Sequence, residues 1–338
     1  MSIRNTIKFH SDGETLVGDL VLPEGAGPHP VLLMIAGTGA QDRHGAIYFP
    51  SGKIGRRTLR RWMSERLAAE GIATYSWDKR GVAESTGGDR QPGDPPGNRD
   101  MHADVWTDVD DAEQALLMLL ERPEIDPQRV AVMGHSAGVY FSSLLAARTT
   151  APALYVFLGG VHSTITDFMD VLYTEMEELL AKGPEEKAWM EENHPYEVQF
   201  LQVWRDYQAA AFRGDDTFEW EFNGQVETMR LARTKQEIEY PLSEQFRHVK
   251  KPVLILHGDR DVNVHVEEAF KVEQALKDYG NDRVTLVVVP MADHSMNIAP
   301  EDLDHVTRLK ERMSQASHEH PYSEFFMHAL TGYLKDWL

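Results

Sequence analysis

Residues 129–138 read RVAVMGHSAG, and the rest of the fold can be inferred outward from them. The first half is a short apolar run, typical of a strand buried on both faces of a sheet. The second half, Gly134-His135-Ser136-Ala137-Gly138, has the pattern G-x-S-x-G and leads into a helix-like segment at 138–148. A strand, a sharp turn and a helix in this order leave the serine hydroxyl exposed above the sheet. The sequence therefore predicts a nucleophile at Ser136, at a helix N-terminus that favours developing negative charge.

Strand-like and helix-like segments alternate on both sides of this turn. The predicted strands are residues 3–9, 15–22, 30–36, 72–77, 153–158, 252–257 and 284–289, and the predicted helices are 56–70, 104–121, 265–279 and about 323–338. This alternation is typical of a mostly parallel sheet covered by helices. The Gly- and Pro-rich stretch 84–103 is expected to be a long loop. The last helix either packs on the sheet or mediates a homodimer.

The alternation stops between residues 162 and 245, where no convincing buried strand is visible. Helix-like segments at 166–182, 185–193 and 198–212 predict instead a helical cap over 162–245, inserted into a core made of 1–161 and 246–338. The inserted segment is rich in aromatic residues. These side chains either line an apolar substrate site or form a small core of the cap itself.

Composition excludes several classes of protein. None of the 338 residues is a cysteine, which excludes disulfides, thiolate metal sites and a cysteine nucleophile. Asp and Glu number 54 against 34 Lys and Arg, a formal net charge of −20 that opposes binding to nucleic acid or anionic lipid. No secretory signal or membrane-spanning run is visible. We expect a cytoplasmic protein with neither nucleic-acid nor membrane partners.

A serine hydroxyl needs a base to activate it and an acid to orient that base. In a parallel sheet both come from loops at the carboxyl ends of later strands. The loop after 252–257 carries Asp259 and Asp261, and the loop after 284–289 carries His294. The order serine, aspartate, histidine is the one expected when the serine lies on such a turn.

The resemblance to a family rests on GHSAG at 134–138, LHGDRDVNV at 256–264 and MADHSM at 291–296. With these motifs the chain resembles the α/β-hydrolase superfamily over nearly its whole length. AGTGAQDRHG at 36–45 and WDKRGVAES at 77–85 are similar to stretches of bacterial esterase-like members.

The resemblance implies an α/β-hydrolase fold, with an eight-stranded, mostly parallel sheet, helices on both faces and an inserted helical cap. It also implies a serine hydrolase of small carboxylic esters or thioesters that needs no cofactor and no metal. Ser136 would be the nucleophile, His294 the base and Asp261 the acid, with Asp259 as the alternative acid.

Acyl chemistry also requires donors for the oxyanion. The expected donors are the backbone N–H groups of Ala137 and of Thr38, with Gly39 as the alternative to Thr38. His162 and Arg43 are candidate substrate contacts. Arg43 and the neighbouring charged residues could instead form an ion-pair network that holds two loops together.

Other functions share the same serine turn. An acyltransferase, an amidase or a carbon–carbon bond hydrolase would use the same triad, and the sequence does not separate them. A non-catalytic binding protein on this fold is a further alternative, against which the complete set of Ser136, Asp261 and His294 argues. Dehalogenase and epoxide hydrolase chemistry is disfavoured, because those relatives carry an aspartate in place of Ser136.

Overall fold

The computed structural model describes residues 2–48, 54–55, 58–87 and 104–338. The main sheet has eight strands in this part of the chain: β1 (Ile3–Ser11), β2 (Glu14–Leu22), β3 (His29–Ile35), β4 (Ala73–Trp77), β5 (Ile125–His135), β6 (Leu154–Leu158), β9 (Val253–Gly258) and β10 (Val284–Val289). A separate pair, β7 (Thr217–Phe222) and β8 (Gln225–Arg230), forms a hairpin.

The strand order in the main sheet is β1-β2-β4-β3-β5-β6-β9-β10. Strand β2 is antiparallel to β1 and β4, and all other neighbours are parallel. The predicted eight-stranded, mostly parallel sheet is confirmed.

Helices cover both faces of this sheet, as predicted. The helices are α1 (Leu59–Ala69), α2 (Val105–Leu120), α3 (Gly138–Arg148), α4 (Ile165–Ala181), α5 (Pro184–Asn193), α6 (Pro195–Phe200), α7 (Trp204–Arg213), α8 (Ala232–Glu239), α9 (Leu242–Gln245), α10 (Glu267–Asp278), α11 (His305–Ser314) and α12 (Glu324–Trp337). Side chains alternate along β3, so that Leu33 lies on the face of the sheet covered by α2, α3 and α10, while Leu32 and Met34 lie on the face covered by α1 and α12. Such strands read as continuous apolar runs because both of their faces are buried.

Most predicted boundaries agree with the structure to within a few residues. Helix α12 packs on the sheet through Phe326, Leu330 and Leu334, whereas Phe325 and Trp337 are exposed. Most of the predicted loop 84–103, from residue 88 onward, and positions 56–57 of the first predicted helix lie outside the described residues.

Residues 162–245, called the insert below, lie in the chain between β6 and β9, which are neighbours in the sheet. This segment contains helices α4 to α9 and also the β7–β8 hairpin, which was not predicted. Asn223 and Gly224 form the hairpin turn with φ of 52° and 75°, the left-handed conformation that a two-residue turn requires. The helix expected over 198–212 is divided by a turn at 201–203.

The aromatic residues of the insert form mainly a core of their own. Phe200, Trp204, Tyr207 and Trp220 are buried together. A second, smaller cluster joins the insert to the rest of the protein, where Leu179 and Met190 pack against Val262 and Leu309. The insert is thus a folded unit that contacts the loop after β9.

Polar contacts hold the insert at both of its ends and at its first helix. Glu268 on α10 accepts hydrogen bonds from the backbone N–H groups of His162 and Ser163, at 2.8 and 2.7 Å. The Tyr140 hydroxyl on α3 donates to the carbonyl of Tyr240 at 2.6 Å. Glu175 on α4 lies 2.8 Å from His265 Nε2.

Within the described ranges, no helix is long and apolar enough to span a bilayer.

Candidate active site

Ser136 lies on the sharp turn between β5 and α3. Its φ is 57°, a left-handed conformation that is strained for a residue other than glycine. Its N–H donates to the carbonyl of Leu158 at 2.8 Å, which ties the turn to the end of β6. Ser136 and Ala137 are partly exposed, while the residues on both sides of them are buried. The turn around Ser136 is therefore tightly packed, while the serine itself stays partly exposed to solvent.

The two outer glycines of the motif make that packing possible. A Cβ on Gly134 would lie 2.2 Å from the carbonyl oxygen of Gly138, and a Cβ on Gly138 would lie 2.5 Å from the carbonyl oxygen of Ile35. Both distances are shorter than any side chain tolerates, and each involves backbone atoms that cannot move aside. The turn therefore requires glycine at both positions.

His294 and Asp261 are in direct contact on the two neighbouring loops. His294 Nδ1 lies 2.7 Å from Asp261 Oδ2, and both side chains are buried. Asp261 Oδ1 accepts two further hydrogen bonds, from the N–H groups of Asn263 and Val264. Burial alone would raise the pKa of Asp261, but His294 and His257 hold it well below its usual range. An ionised Asp261 accepts the Nδ1 hydrogen, which leaves Nε2 of a neutral His294 free to act as a base.

The structure places Asp261, and not Asp259, against this histidine. The carboxylate of Asp259 is 37% exposed and lies 3.9 Å from the neighbouring Arg260. Asp293, beside His294, accepts hydrogen bonds from the N–H groups of Ser295 and Asn297 at 2.8 Å. It therefore shapes the loop that carries the histidine.

Two buried histidines support this arrangement. The place of His135 inside the serine turn predicts such a supporting role, whereas His257, at a strand end before a glycine, is most simply interpreted from the sequence as a packed core residue. His135 Nε2 lies 2.9 Å from the carbonyl oxygen of His294, so the serine turn and the histidine loop are joined directly. His257 Nε2 lies 3.4 Å from Asp261 Oδ2 and 2.7 Å from the carbonyl oxygen of Val264. The position of both histidines at strand ends was the signal available in the sequence.

No hydrogen bond joins Ser136 to His294 among the described residues. Contacts between nucleophile and base are commonly loose in a protein without substrate and tighten when substrate binds. His135 directly precedes Ser136 in the chain, and its side chain contacts the backbone of His294. This contact places Ser136 and His294 at the same edge of the sheet.

The loop after β3 passes beside the serine turn. A Cβ on Gly37 would lie 2.8 Å from Ser136 Cβ and 3.4 Å from the backbone nitrogen of Ala137. Lys79 Nζ donates to the carbonyl of Gly37 at 3.2 Å, and Gln41 Nε2 donates to the carbonyl of Thr38 at 2.7 Å. In a trans peptide the N–H points opposite to the carbonyl, so the N–H groups of Thr38 and Gly39 point away from these two anchors. Both remain candidate donors beside Ala137.

Arg43 and Arg80 lie in ion-pair networks between loops and strands. Arg43 pairs with Asp78 at 2.9 Å, with Asp19 at 3.3 Å and with Glu84. Arg80 pairs with Asp111, and burial raises the pKa of that carboxyl to about 6 against the hydrogen bonds from Arg80. The charge of Arg43, a candidate substrate contact, is thus already matched by three carboxylates.

His162, the other candidate substrate contact, lies at the start of the insert. Its ring stacks on Phe246 with centroids 6.2 Å apart, and burial lowers its pKa. Its backbone N–H is bound by Glu268, as described above. These contacts give His162 a place in the attachment of the insert to α10.

A cavity of about 250 Å³ lies against His294. Its wall is formed by the loops after β3, β9 and β10, by the insert, and by α11 with the turn that follows it. Met176, His194 and Glu197 are the insert residues of this wall, and none of the aromatic residues of the insert is among its described lining. Helix α11 was not predicted, although Asp304 caps it by accepting from the N–H of Thr307 at 2.7 Å.

Comparison with known proteins agrees with this fold. A sequence model described as serine aminopeptidase, S33, matches residues 43–301. Esterase EstD of Thermotoga maritima is 26% identical over 136 residues, which is 40% of this chain but only 28% of EstD. The match therefore spans little more than a quarter of that relative.

Solved structures with low sequence identity share the fold. The Pyrococcus furiosus esterase Pf2001 superposes with a TM-score of 0.55 at 15% identity, covering 99% of this chain and 93% of the esterase. The 2,6-dihydroxy-pseudo-oxynicotine hydrolase superposes with a TM-score of 0.54 at 16% identity, covering 99% of this chain and 68% of that protein. The sequence model of the serine aminopeptidase S33 family matches more than half of the residues of this chain. The chain therefore belongs to that family of α/β-hydrolases.

Proposed function

We propose that this protein is a serine hydrolase that cleaves a small carboxylic ester or thioester through an acyl-enzyme intermediate on Ser136. The observation that carries the proposal is the 2.7 Å contact between His294 Nδ1 and Asp261 Oδ2 at the edge of the sheet where Ser136 is held strained and partly exposed. Family membership and the partial match to an esterase support the hydrolase class.

In the first half of the reaction, Ser136 Oγ attacks the carbonyl carbon and its proton passes to His294 Nε2. The resulting oxyanion accepts hydrogen bonds from the N–H groups of Ala137 and Thr38, with Gly39 as the alternative to Thr38. The tetrahedral intermediate then breaks its bond to the leaving group, which takes the proton from His294. Asp261 keeps the imidazole in the required tautomer and stabilises its cation.

In the second half, a water molecule attacks the acyl-enzyme while His294 accepts its proton. The bond to Ser136 breaks, Oγ recovers the proton, and the carboxylic acid is released. Every step uses groups of this chain and water alone. An amide substrate would follow the same route, with an amine as the leaving group. Whether the released group is an alcohol or an amine therefore decides between an ester and an amide substrate.

The insert serves as a cap in this proposal. Three of its residues share a cavity with His294, and Leu179 and Met190 pack beside Val262, the residue next to Asp261. A substrate in that cavity would be enclosed between the insert and the catalytic loops, which excludes bulk water from the reacting bond.

A fluorophosphonate that labels activated serines tests the proposal, with intact-protein mass spectrometry as the readout. We expect one adduct on the wild type and none on Ser136→Ala. Ser143→Ala is the matched control, because Ser143 lies on α3, just after the serine turn, and its hydroxyl donates to the carbonyl of Val139. An adduct that persists in Ser136→Ala, or a folded wild type that is never labelled, would overturn the proposal.

A further inference from the structure

Two arginines on the wall of the cavity beside His294 have no carboxylate bound closely to them. Arg260 comes from the loop after β9 and Arg308 from α11. The carboxylate nearest to Arg260 is that of Asp259, 3.9 Å from its Nε. For Arg308, the part of the chain that the structure describes offers no carboxylate within 4 Å, and its guanidinium donates to the carbonyl of Leu303 at 3.2 Å. The Nε of Arg308 is buried and has no hydrogen-bond partner.

The acidic residues of the same wall are each engaged by the protein. Asp293 accepts the two backbone hydrogen bonds described above. Glu311 lies 3.2 Å from His320, and Glu197 lies 3.8 Å from His194. Burial opposes ionisation of Glu197, but its contact with His194, followed by the charge of Arg312, lowers the pKa of that carboxyl. The wall therefore has positive charge at Arg260 and Arg308 that is only weakly matched by carboxylates.

The two guanidinium groups also act on each other. Burial, and then the neighbouring charge of Arg260, lower the pKa of Arg308. Asp259 and Asp304 oppose this effect only from beyond ion-pair distance. Two like charges held together in a partly buried wall are unfavourable until an anion lies between them. A carboxylate suits such a site, because guanidinium groups bind carboxylates through paired, charge-assisted hydrogen bonds.

We propose that this cavity binds an ionised carboxylate of the substrate through Arg260 and Arg308, so that the protein prefers esters that carry a second, free carboxyl group. This inference rests on the proposed function, because the ester bond would be cleaved at Ser136. A cavity of about 250 Å³ suits a compact substrate such as a short dicarboxylic acid monoester. The same charges repel an ammonium group, which disfavours a substrate with a free amino terminus.

Paired substrates test the preference. Mono-p-nitrophenyl glutarate carries the free carboxylate, and p-nitrophenyl pentanoate has the same chain length without it. We expect kcat/KM of the wild type to be at least tenfold higher for the glutarate ester. Arg308→Gln should lower that value by about ten- to a hundredfold, mainly through KM, because hydrogen bonds to charged groups contribute about 1.5–3 kcal/mol. Hydrolysis of the pentanoate ester should change by less than about threefold.

Two further variants make the result specific. Arg308→Lys retains the charge and should recover part of the loss. Arg205→Gln is the matched control, because Arg205 lies on the insert, 62% exposed and paired with Glu177. Equal hydrolysis of both esters by the wild type, or an equal loss on both esters in a folded Arg308→Gln, would overturn the inference and leave the proposed function standing.

Binding without turnover separates the two proposals. Calorimetry with glutarate should show binding to Ser136→Ala, and weaker binding when Arg308→Gln is added. This result would support the anion site even if neither ester were hydrolysed, an outcome that would count against the proposed function alone. Absence of glutarate binding to the folded protein, or tighter binding of inorganic phosphate, would overturn the assignment to a carboxylate.

Discussion

Replacement of Asp261 by asparagine tests the proposed mechanism sharply, because the structure fixes how the new amide would be oriented. Oδ1 of Asp261 accepts hydrogen bonds from the N–H groups of Asn263 and Val264, at 2.8 and 2.9 Å. The amide oxygen must take this position, since an NH₂ group there would face two other donors. The NH₂ group then occupies the position of Oδ2, where it faces His294 Nδ1 at 2.7 Å.

This orientation moves the proton on the imidazole. An NH₂ donor makes Nδ1 of His294 an acceptor, so Nε2 carries the hydrogen and cannot take the proton of Ser136. The same substitution lowers kcat about 10⁴-fold in a serine protease for this reason. A loss of this size corresponds to about 5.4 kcal/mol of transition-state stabilisation. We expect Asp261→Asn to lower kcat by about 10³- to 10⁴-fold.

The assay is hydrolysis of p-nitrophenyl butyrate at neutral pH, with the Tm of each variant measured to show that it is folded. Asp259→Asn is the matched control, since it makes the same chemical change two residues away in a partly exposed side chain. Its kcat should stay within about threefold of the wild type. A loss below tenfold in folded Asp261→Asn, or a greater loss in Asp259→Asn, would refute the reasoning.

Three further predictions concern the parts around the triad. Gly138→Ala should lower the Tm and abolish activity, because the new Cβ would lie 2.5 Å from a carbonyl oxygen of β3. Gly332→Ala is the control: its Cβ would have no atom within 4 Å, so calorimetry should show no decrease in its Tm. Lys79→Met removes the hydrogen bond that holds the Gly37 carbonyl in the loop of the candidate oxyanion donors. It should lower kcat about tenfold or more with little change in KM. A change in KM alone would contradict a role of Lys79 in positioning those donors. Glu175 raises the pKa of His265, so their contact stabilises the fold below about pH 6.5 and is lost as pH rises through the raised pKa. The Tm difference between the wild type and Glu175→Gln should therefore be larger at about pH 6 than at about pH 9, and a constant difference would argue against the contact.

The sheet and the serine turn could be predicted because their signals are local. A parallel strand buried on both faces appears as an apolar run, and the turn at Ser136 needs glycines at fixed positions. The β7–β8 hairpin was missed because its strands are largely exposed and rich in charged residues, so they lack an apolar run. The dipeptide Asn223-Gly224 was the signal available, since it favours a two-residue hairpin turn.

The lining of the cavity could not be predicted for a different reason. Arg260 lies inside a motif that was recognised, but nothing in the sequence shows that its charge is only weakly matched. Arg308 lies on α11, almost 50 residues further along the chain, and only the tertiary fold brings the two onto one wall. Arg43, the arginine chosen from the sequence, has three carboxylate partners that also come from distant segments.

The position of the insert between β6 and β9 also has a consequence for how the chain folds. Leu158 and Leu256 are paired across these two strands, and closing a disordered loop of about 100 residues between them costs more entropy than closing a short turn. Contacts between such distant segments form slowly. The insert has its own aromatic cluster and a local hairpin, so it can become compact before the strands meet. An insert folded in advance would shorten the effective loop, and the segment proposed to enclose the substrate would then also speed the completion of the sheet.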